Sequence, residues 1–291
     1  MALPFGVSIA ALSLAQGAVV AMPEGVRDTR LEAFRGRRWA LVPPLSVIAF
    51  VLIARAAEHA SAESLTYLAL VAVPALAALA LGWLMRGARP ALALVTLALF
   101  ALAWADRRGL AGEGAALALS ALSCVALGVL IAAVTPARWL AAGIVAMAVA
   151  DTALVVSDQL QRPNSVLNAA RPAAGLPRLQ SAVFGSAVMG YGDLFVAGAF
   201  GGLLAIHLSR REQLRGSALA VALALAFDLL FLVVDELPAT VPVALALIVL
   251  AVVRRRSGAD ASGRRRAIAR RRGRELPTAP ALVRPPVRRR S

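Results

Sequence analysis

Three carboxylates stand where an apolar chain is least able to hold them. Asp151 lies in AMAVADTALVV, Asp193 in VMGYGDLFVAGAFGG and Asp228 in ALALAFDLLFLVV. A charged side chain at the centre of a bilayer costs roughly 2.5 to 3.5 kcal/mol on insertion scales. An acid in such a place either works there, or is protonated or hydrogen-bonded to a neighbouring helix. Two acids held close have a definite chemistry. They do not both ionise, so the pair keeps one proton between them. The ionised member is a general base for water, and the protonated member a general acid for a carbonyl oxygen. Hydrolysis by such a pair requires no metal, no cofactor and no covalent intermediate.

The elements that carry these acids are long and apolar. The 291 residues are 60% hydrophobic, with a mean hydropathy of +0.76, well above a soluble domain. No segment alternates as the strands of a membrane barrel do. The expected fold is all-α, a polytopic transmembrane helix bundle of about nine spans. Their limits are near 5–22, 39–57, 65–85, 90–105, 115–135, 138–157, 181–208, 218–235 and 237–253. A helix needs roughly 20 apolar residues to cross the hydrocarbon. The first span is the weakest, because it carries Ser8, Ser13 and Gln16. The depth of two acids is counted along their spans, from Trp139 to Asp151 and from Ser181 to Asp193. At 1.5 Å per residue each is about 18 Å from its own edge of the membrane, on spans that run in opposite directions. In a core about 30 Å thick they fall within about 6 Å of one level. Asp158, at the outer end of its span, is too shallow to join them.

The charge follows the spans. All 31 basic residues are Arg, and 14 lie after Val253. The loops that hold Arg27 to Arg38, Arg86 with Arg89, and Arg210 to Arg215 all fall on the side of that tail. The alternate loops carry Glu58 and Glu63, Asp106 and Glu113, and Asp235 and Glu236. The positive-inside rule then places the N-terminus outside and the C-terminus in the cytoplasm. The net charge of +15 therefore points to anionic lipid headgroups at a disordered tail. No specific nucleic-acid partner is expected, since no aromatic residues interleave with the Arg clusters to stack bases. Cys124 is alone, which excludes disulfides and thiolate metal sites, and His59 and His207 lie too far apart in sequence to form a metal-ligand pattern. Three regions follow: helices 1 to 5 over residues 1–137, site-bearing helices 6 to 9 over 138–253, and the Arg-rich tail over 254–291.

Gly190-Tyr191-Gly192-Asp193 matches the GxGD motif of the intramembrane aspartyl proteases, the presenilins and signal peptide peptidases. The run GYGDLFVAGAFGGLLA resembles the signal peptide peptidase pattern beyond the motif itself, through Gly198 and Phe200. Asp151 occupies the place of the family's other catalytic Asp, on the preceding span. Leu237-Pro238-Ala239-Thr240 is similar to its Pro-Ala-Leu element at the start of the ninth span. The resemblance covers roughly residues 138–253. It implies catalysis by Asp151 and Asp193, and binding of a transmembrane peptide or protein substrate by Gly190, Tyr191, Gly192, Leu237, Pro238 and Ala239. It also implies a presenilin-like arrangement of helices in a bacterial or archaeal plasma membrane. Two positions depart from the pattern: Ala150 stands in place of Tyr, and Thr240 in place of Leu. The glycines next to Asp193 let neighbouring helices and a substrate backbone come close, and Pro238, lacking an N–H, ends regular structure beside the pair.

Two other readings stay open. Prepilin peptidases also carry GxGD, and Asp158 followed by Pro163-Asn164 is similar to the surroundings of their first acid. Phe195 stands where they usually carry Lys, and their cysteine-rich module is absent. A proton-coupled transporter also uses intramembrane acids on broken helices. No internal repeat supports it, because the acids cluster in spans 6 to 8. Asp228 matches nothing in the protease family, and the sequence leaves the oligomeric state open.

Overall fold

The fold was obtained as a computed structural model. It describes residues 3–25, 34–46, 48–49, 58–107, 109–157, 177–234 and 237–256, without the side chains of 58–63 and 65. The chain divides into two compact units, Met1–Ile248 and Val249–Ser291. The second is described only over 249–256, which are helical. Most of the expected loop over 158–180 and nearly all of the Arg-rich tail lie outside the described residues, as does Asp158.

The first unit is largely helical. Helix α1 is Phe5–Ala21, and a 3₁₀ turn covers Arg37–Leu41. Helix α2 is Glu58–Leu79, extended by a wider π-turn over Ala80–Leu84. A 3₁₀ turn over Pro90–Leu94 leads into α3, Val95–Ala105. Then come α4, Leu110–Val134, and α5, Ala137–Val156. A two-stranded hairpin follows, β1 Ser181–Phe184 and β2 Ala187–Gly190, before α6, Tyr191–His207, and α7, Arg210–Asp228. A 3₁₀ turn over Leu229–Leu232 ends α7, and α8 covers 241–248.

Among the described residues, four helices are long and apolar enough to cross a membrane: Thr66–Leu84, Leu110–Val134, Ala137–Val156 and Arg210–Leu232. Phe5–Ala21, Pro90–Ala105 and Tyr191–His207 are apolar but shorter. Val71, Leu97, Val149 and Leu232 stand exposed on the outside, as lipid-facing side chains would. The largest departure from the expected spans is at 181–208. Its first part, through Gly190, is the hairpin, and the helix begins only at Tyr191. Gly185 and Ser186 form a two-residue loop between paired Phe184 and Ala187, and Gly185 has a φ of +60°. Glycine adopts that conformation without steric cost, so AVF-GS-AVM folds back on itself. The hairpin tip is held on two sides. The Gly185 N–H donates to Glu113 at 2.7 Å, and the Ser186 N–H donates to Ser8 at 3.2 Å.

Helix α6 is the centre of the unit and packs on α1, α4, α5 and α7. Between helices in lipid there is little hydrophobic gain, so association rests on close contact of small residues. The closest approach here is α4 to α6. A Cβ on Gly198 would overlap the carbonyl oxygen of Cys124, and one on Gly128 would overlap that of Gly198. Gly202 meets the Gly128 carbonyl in the same way. Phe200, Leu194 and Leu204 of α6 are fully buried, as is Leu119 of α4, and Phe200 and Leu204 lie against Gly216 of α7.

Gly198→Val forces α4 and α6 apart, at a cost of about 2–3 kcal/mol. Its thermal unfolding midpoint in detergent is expected to fall by several degrees. Gly6→Ala, where nothing lies within 4 Å, should leave it unchanged. Equal midpoints for Gly198→Val and wild type would refute the seam.

Candidate active site

The two motif aspartates come from different helices. Asp151 lies on α5, which starts at Ala137, and Asp193 lies on α6, which ends at His207. At 1.5 Å per residue, Asp151 is about 21 Å from Ala137 and Asp193 is about 21 Å from His207. The expectation counted Asp193 down a helix from Ser181. That premise fails, because Ser181 pairs with Gly190 and the hairpin returns the chain to its starting level. Asp193 is instead in the first turn of its helix, and what brings it together with Asp151 is the cavity that both line.

Both aspartates line one cavity of about 1130 Å³. Gly190, Tyr191, Gly192, Leu237 and Ala239 line the same cavity. Pro238 is not among its lining residues, although its two neighbours are. Asp151 is buried, and its Oδ2 accepts a hydrogen bond of 2.6 Å from the Thr240 hydroxyl. Asp193 Oδ2 accepts from the Gly190 N–H at 3.1 Å. This is the carboxylate half of a capping box, in which the third helical residue reaches back to the N-cap N–H. Asp193 therefore fixes the junction of hairpin and helix as well as facing the cavity. Ala150 precedes Asp151 on α5, and nothing in the structure assigns its side chain a role in the site.

Three residues of the site are absent from the expected set. Thr240, noted only as a departure from a motif, donates to Asp151. Gln16 is fully buried on α1. Its Nε2 donates to the Ala239 carbonyl at 3.0 Å and to the Asp193 carbonyl at 3.4 Å, which ties the Leu237–Thr240 segment to the start of α6. Ser13, one turn earlier on α1, donates to Asp228 Oδ2 at 2.8 Å, and both line the cavity. The signal was available in spacing. Ser13 and Gln16 recur with Ile9, Leu12 and Val20 on one helical face, and a polar residue on an apolar helix needs a partner. The Tyr191 hydroxyl, meanwhile, lies 2.7 Å from the Ser123 hydroxyl, so its ring is anchored to α4.

Among the described residues no group of three or more His, Cys, Asp and Glu side chains could hold a metal ion. No protein-family model, curated protein or solved structure matches the chain. The site therefore rests on its own geometry.

The cavity should admit water-soluble reagents. Cys124 is fully buried, so the wild type is expected to resist a charged maleimide. Val188 lines the cavity and is half-exposed, so Val188→Cys should label within minutes, read as a mass shift. A Val188→Cys protein that stays unlabelled while folded would show the cavity closed to water.

Proposed function

We propose that the chain is an intramembrane aspartyl endopeptidase that hydrolyses peptide bonds within transmembrane segments or signal peptides. The observation that carries this reading is the convergence of Asp151, Asp193 and the Leu237–Thr240 segment on one cavity. The three are far apart in sequence and correspond to the three elements of the presenilin and signal peptide peptidase resemblance. About nine spans in a bacterial or archaeal plasma membrane, with the N-terminus outside and the tail at anionic lipid, complete the reading.

The chemistry is a two-carboxyl hydrolysis. One carboxylate takes a proton from water as the oxygen bonds to the scissile carbonyl carbon. The other carboxyl gives its proton to the carbonyl oxygen, which forms a tetrahedral diol. Collapse re-forms the carbonyl and breaks the C–N bond, and the leaving nitrogen takes a proton from the pair. A helix hides its carbonyls in its own hydrogen bonds, so the substrate must be unwound before attack. Irregular backbone at Leu237–Pro238–Ala239 and the edge of the hairpin offer partners to an extended segment.

Proton-coupled transport is the second reading, and Asp228 favours it, as a third acid on the same cavity wall. A prepilin-peptidase-like activity is less favoured, since Phe195 stands two positions after Asp193, where those enzymes usually carry Lys.

The test is cleavage of a tagged transmembrane helix with a helix-weakening centre, in liposomes. Wild type should cut it, while Asp151→Asn and Asp193→Asn should each be slower by at least about a hundredfold. Full activity in either variant would remove the dyad, and proton flux abolished by Asp228→Asn in the same liposomes would favour transport. Thr240→Val keeps the shape of the side chain and removes its hydroxyl. Its kcat is expected to fall about tenfold with KM little changed, because Thr240 orients Asp151 rather than touching substrate. A wild-type kcat would leave Thr240 without a positioning role.

A further inference from the structure

Gln180 is the residue whose surroundings account for it least. It stands immediately before β1, next to the pair Ser181–Gly190 that closes the hairpin at the start of α6. Its side chain is buried, at 9% exposure, and lines the cavity that holds Asp151 and Asp193. Neither its Nε2 nor its Oε1 has a hydrogen-bond partner among the described residues. A buried polar atom without a partner is destabilising, and native folds rarely keep one without a use. Here one side chain keeps two, a donor and an acceptor side by side.

We infer that Gln180 is a substrate-binding residue, whose carboxamide pairs with one peptide group of an unwound substrate beside the aspartates. This rests on the endopeptidase reading. The complement follows from the chemistry of the amide. A cation would use only Oε1 and an anion only Nε2, leaving the other atom buried and unpaired. A peptide group presents an N–H and a C=O, and so satisfies both. The occupant also has the matching need. A transmembrane helix opened at its scissile bond exposes backbone N–H and C=O groups that lipid cannot satisfy. Gln180 meets that need at the hairpin end, on the side of the cavity formed with Gly190. The neighbouring amide of Gln16 does not compete, because its Nε2 is committed to Ala239 and Asp193.

The test uses Gln180→Met, which keeps length and removes both polar atoms, and Gln180→Glu, which keeps only acceptors. In detergent micelles, a fluorescent transmembrane peptide with a helix-weakening centre should bind Gln180→Met about tenfold more weakly than wild type, by anisotropy. An ester scan of that peptide supplies the specific readout. Replacing one amide by an ester removes one N–H. At a single position it should weaken binding to wild type several-fold and leave binding to Gln180→Met unchanged. Gln180→Met should also unfold at a higher temperature than wild type, since an unpaired buried amide is gone. Equal affinity of wild type and Gln180→Met, or ester losses identical in both, would overturn the inference. A lower midpoint for Gln180→Met would also overturn it, by showing that the amide has a structural partner. If Gln180→Met does not fold, Gln180→Glu reads the same affinities. Wild type that binds the peptide with these dependences but never cuts it would overturn the endopeptidase reading alone.

Discussion

A carboxyl group inside an apolar bundle depends on hydrogen-bond donors, and a helix has almost none to spare. Every N–H beyond the first turn is already bound to a carbonyl of its own helix. Donors at depth therefore come from two sources, side-chain hydroxyls and the first residues of a helix. All three acids on the cavity obey this. Asp151 is met by Thr240, Asp228 by Ser13, and Asp193 by the N–H of Gly190 at the N-cap of its own helix. The breaks in regular structure follow from the same need. Had residues 181–208 been one unbroken helix, Asp193 would lie in its middle, where no free N–H exists. The hairpin instead brings the helix start into the same turn as the acid. Irregular backbone at this depth is tolerated only where protein or a cavity covers it, and both are present.

Those breaks must be held by something other than hydrophobic attraction, which acts weakly between helices in lipid. Polar ties and close packing supply it. Gly128, Gly198 and Gly202 bring α4 and α6 into backbone contact, which fixes one side of α6. On another side, α1 presents Ser13 and Gln16, and these reach Asp228, the Asp193 carbonyl and the Ala239 carbonyl. One helix thus joins the two acids of α6 and α7 to the segment that carries Thr240. On the protease reading, α1 belongs to the site, although the family resemblance begins only near residue 138.

The sequence made the helical class legible, because it rests on composition, whereas the shared level of Asp151 and Asp193 rested on a helix over 181–193 that the hairpin replaces. Gly198 and Gly202 have a small-residue spacing with few uses in an apolar helix other than packing, and both sit in the α4–α6 seam. The hairpin was not read. Its residues are as apolar as the helix that follows, and the cue was only Gly185-Ser186 between two short β-prone runs. The Gln16 and Thr240 contacts were also hidden, for a different reason. Each links positions far apart in the chain, Gln16 with Ala239 and Thr240 with Asp151. A periodic pattern says which face a residue occupies but not what stands opposite. Polar residues on α1 lowered its score as a span, while in the structure they are the buried side of the helix.

Gln16 and Gln180 show how partners decide a role. Both are buried amides on the wall of one cavity. The amide of Gln16 spans two carbonyls that belong to different elements, so it holds the scaffold and lowers its freedom to move. The amide of Gln180 spans none among the described residues. A scaffold gains nothing from such a group; on the protease reading, a site for an unwound peptide does. The peptide must surrender helical hydrogen bonds to become cleavable, and in a membrane only the protein can replace them. A cavity that cuts backbone therefore has to carry unsatisfied polar atoms before substrate arrives, in proportion to the bonds that the substrate has to give up.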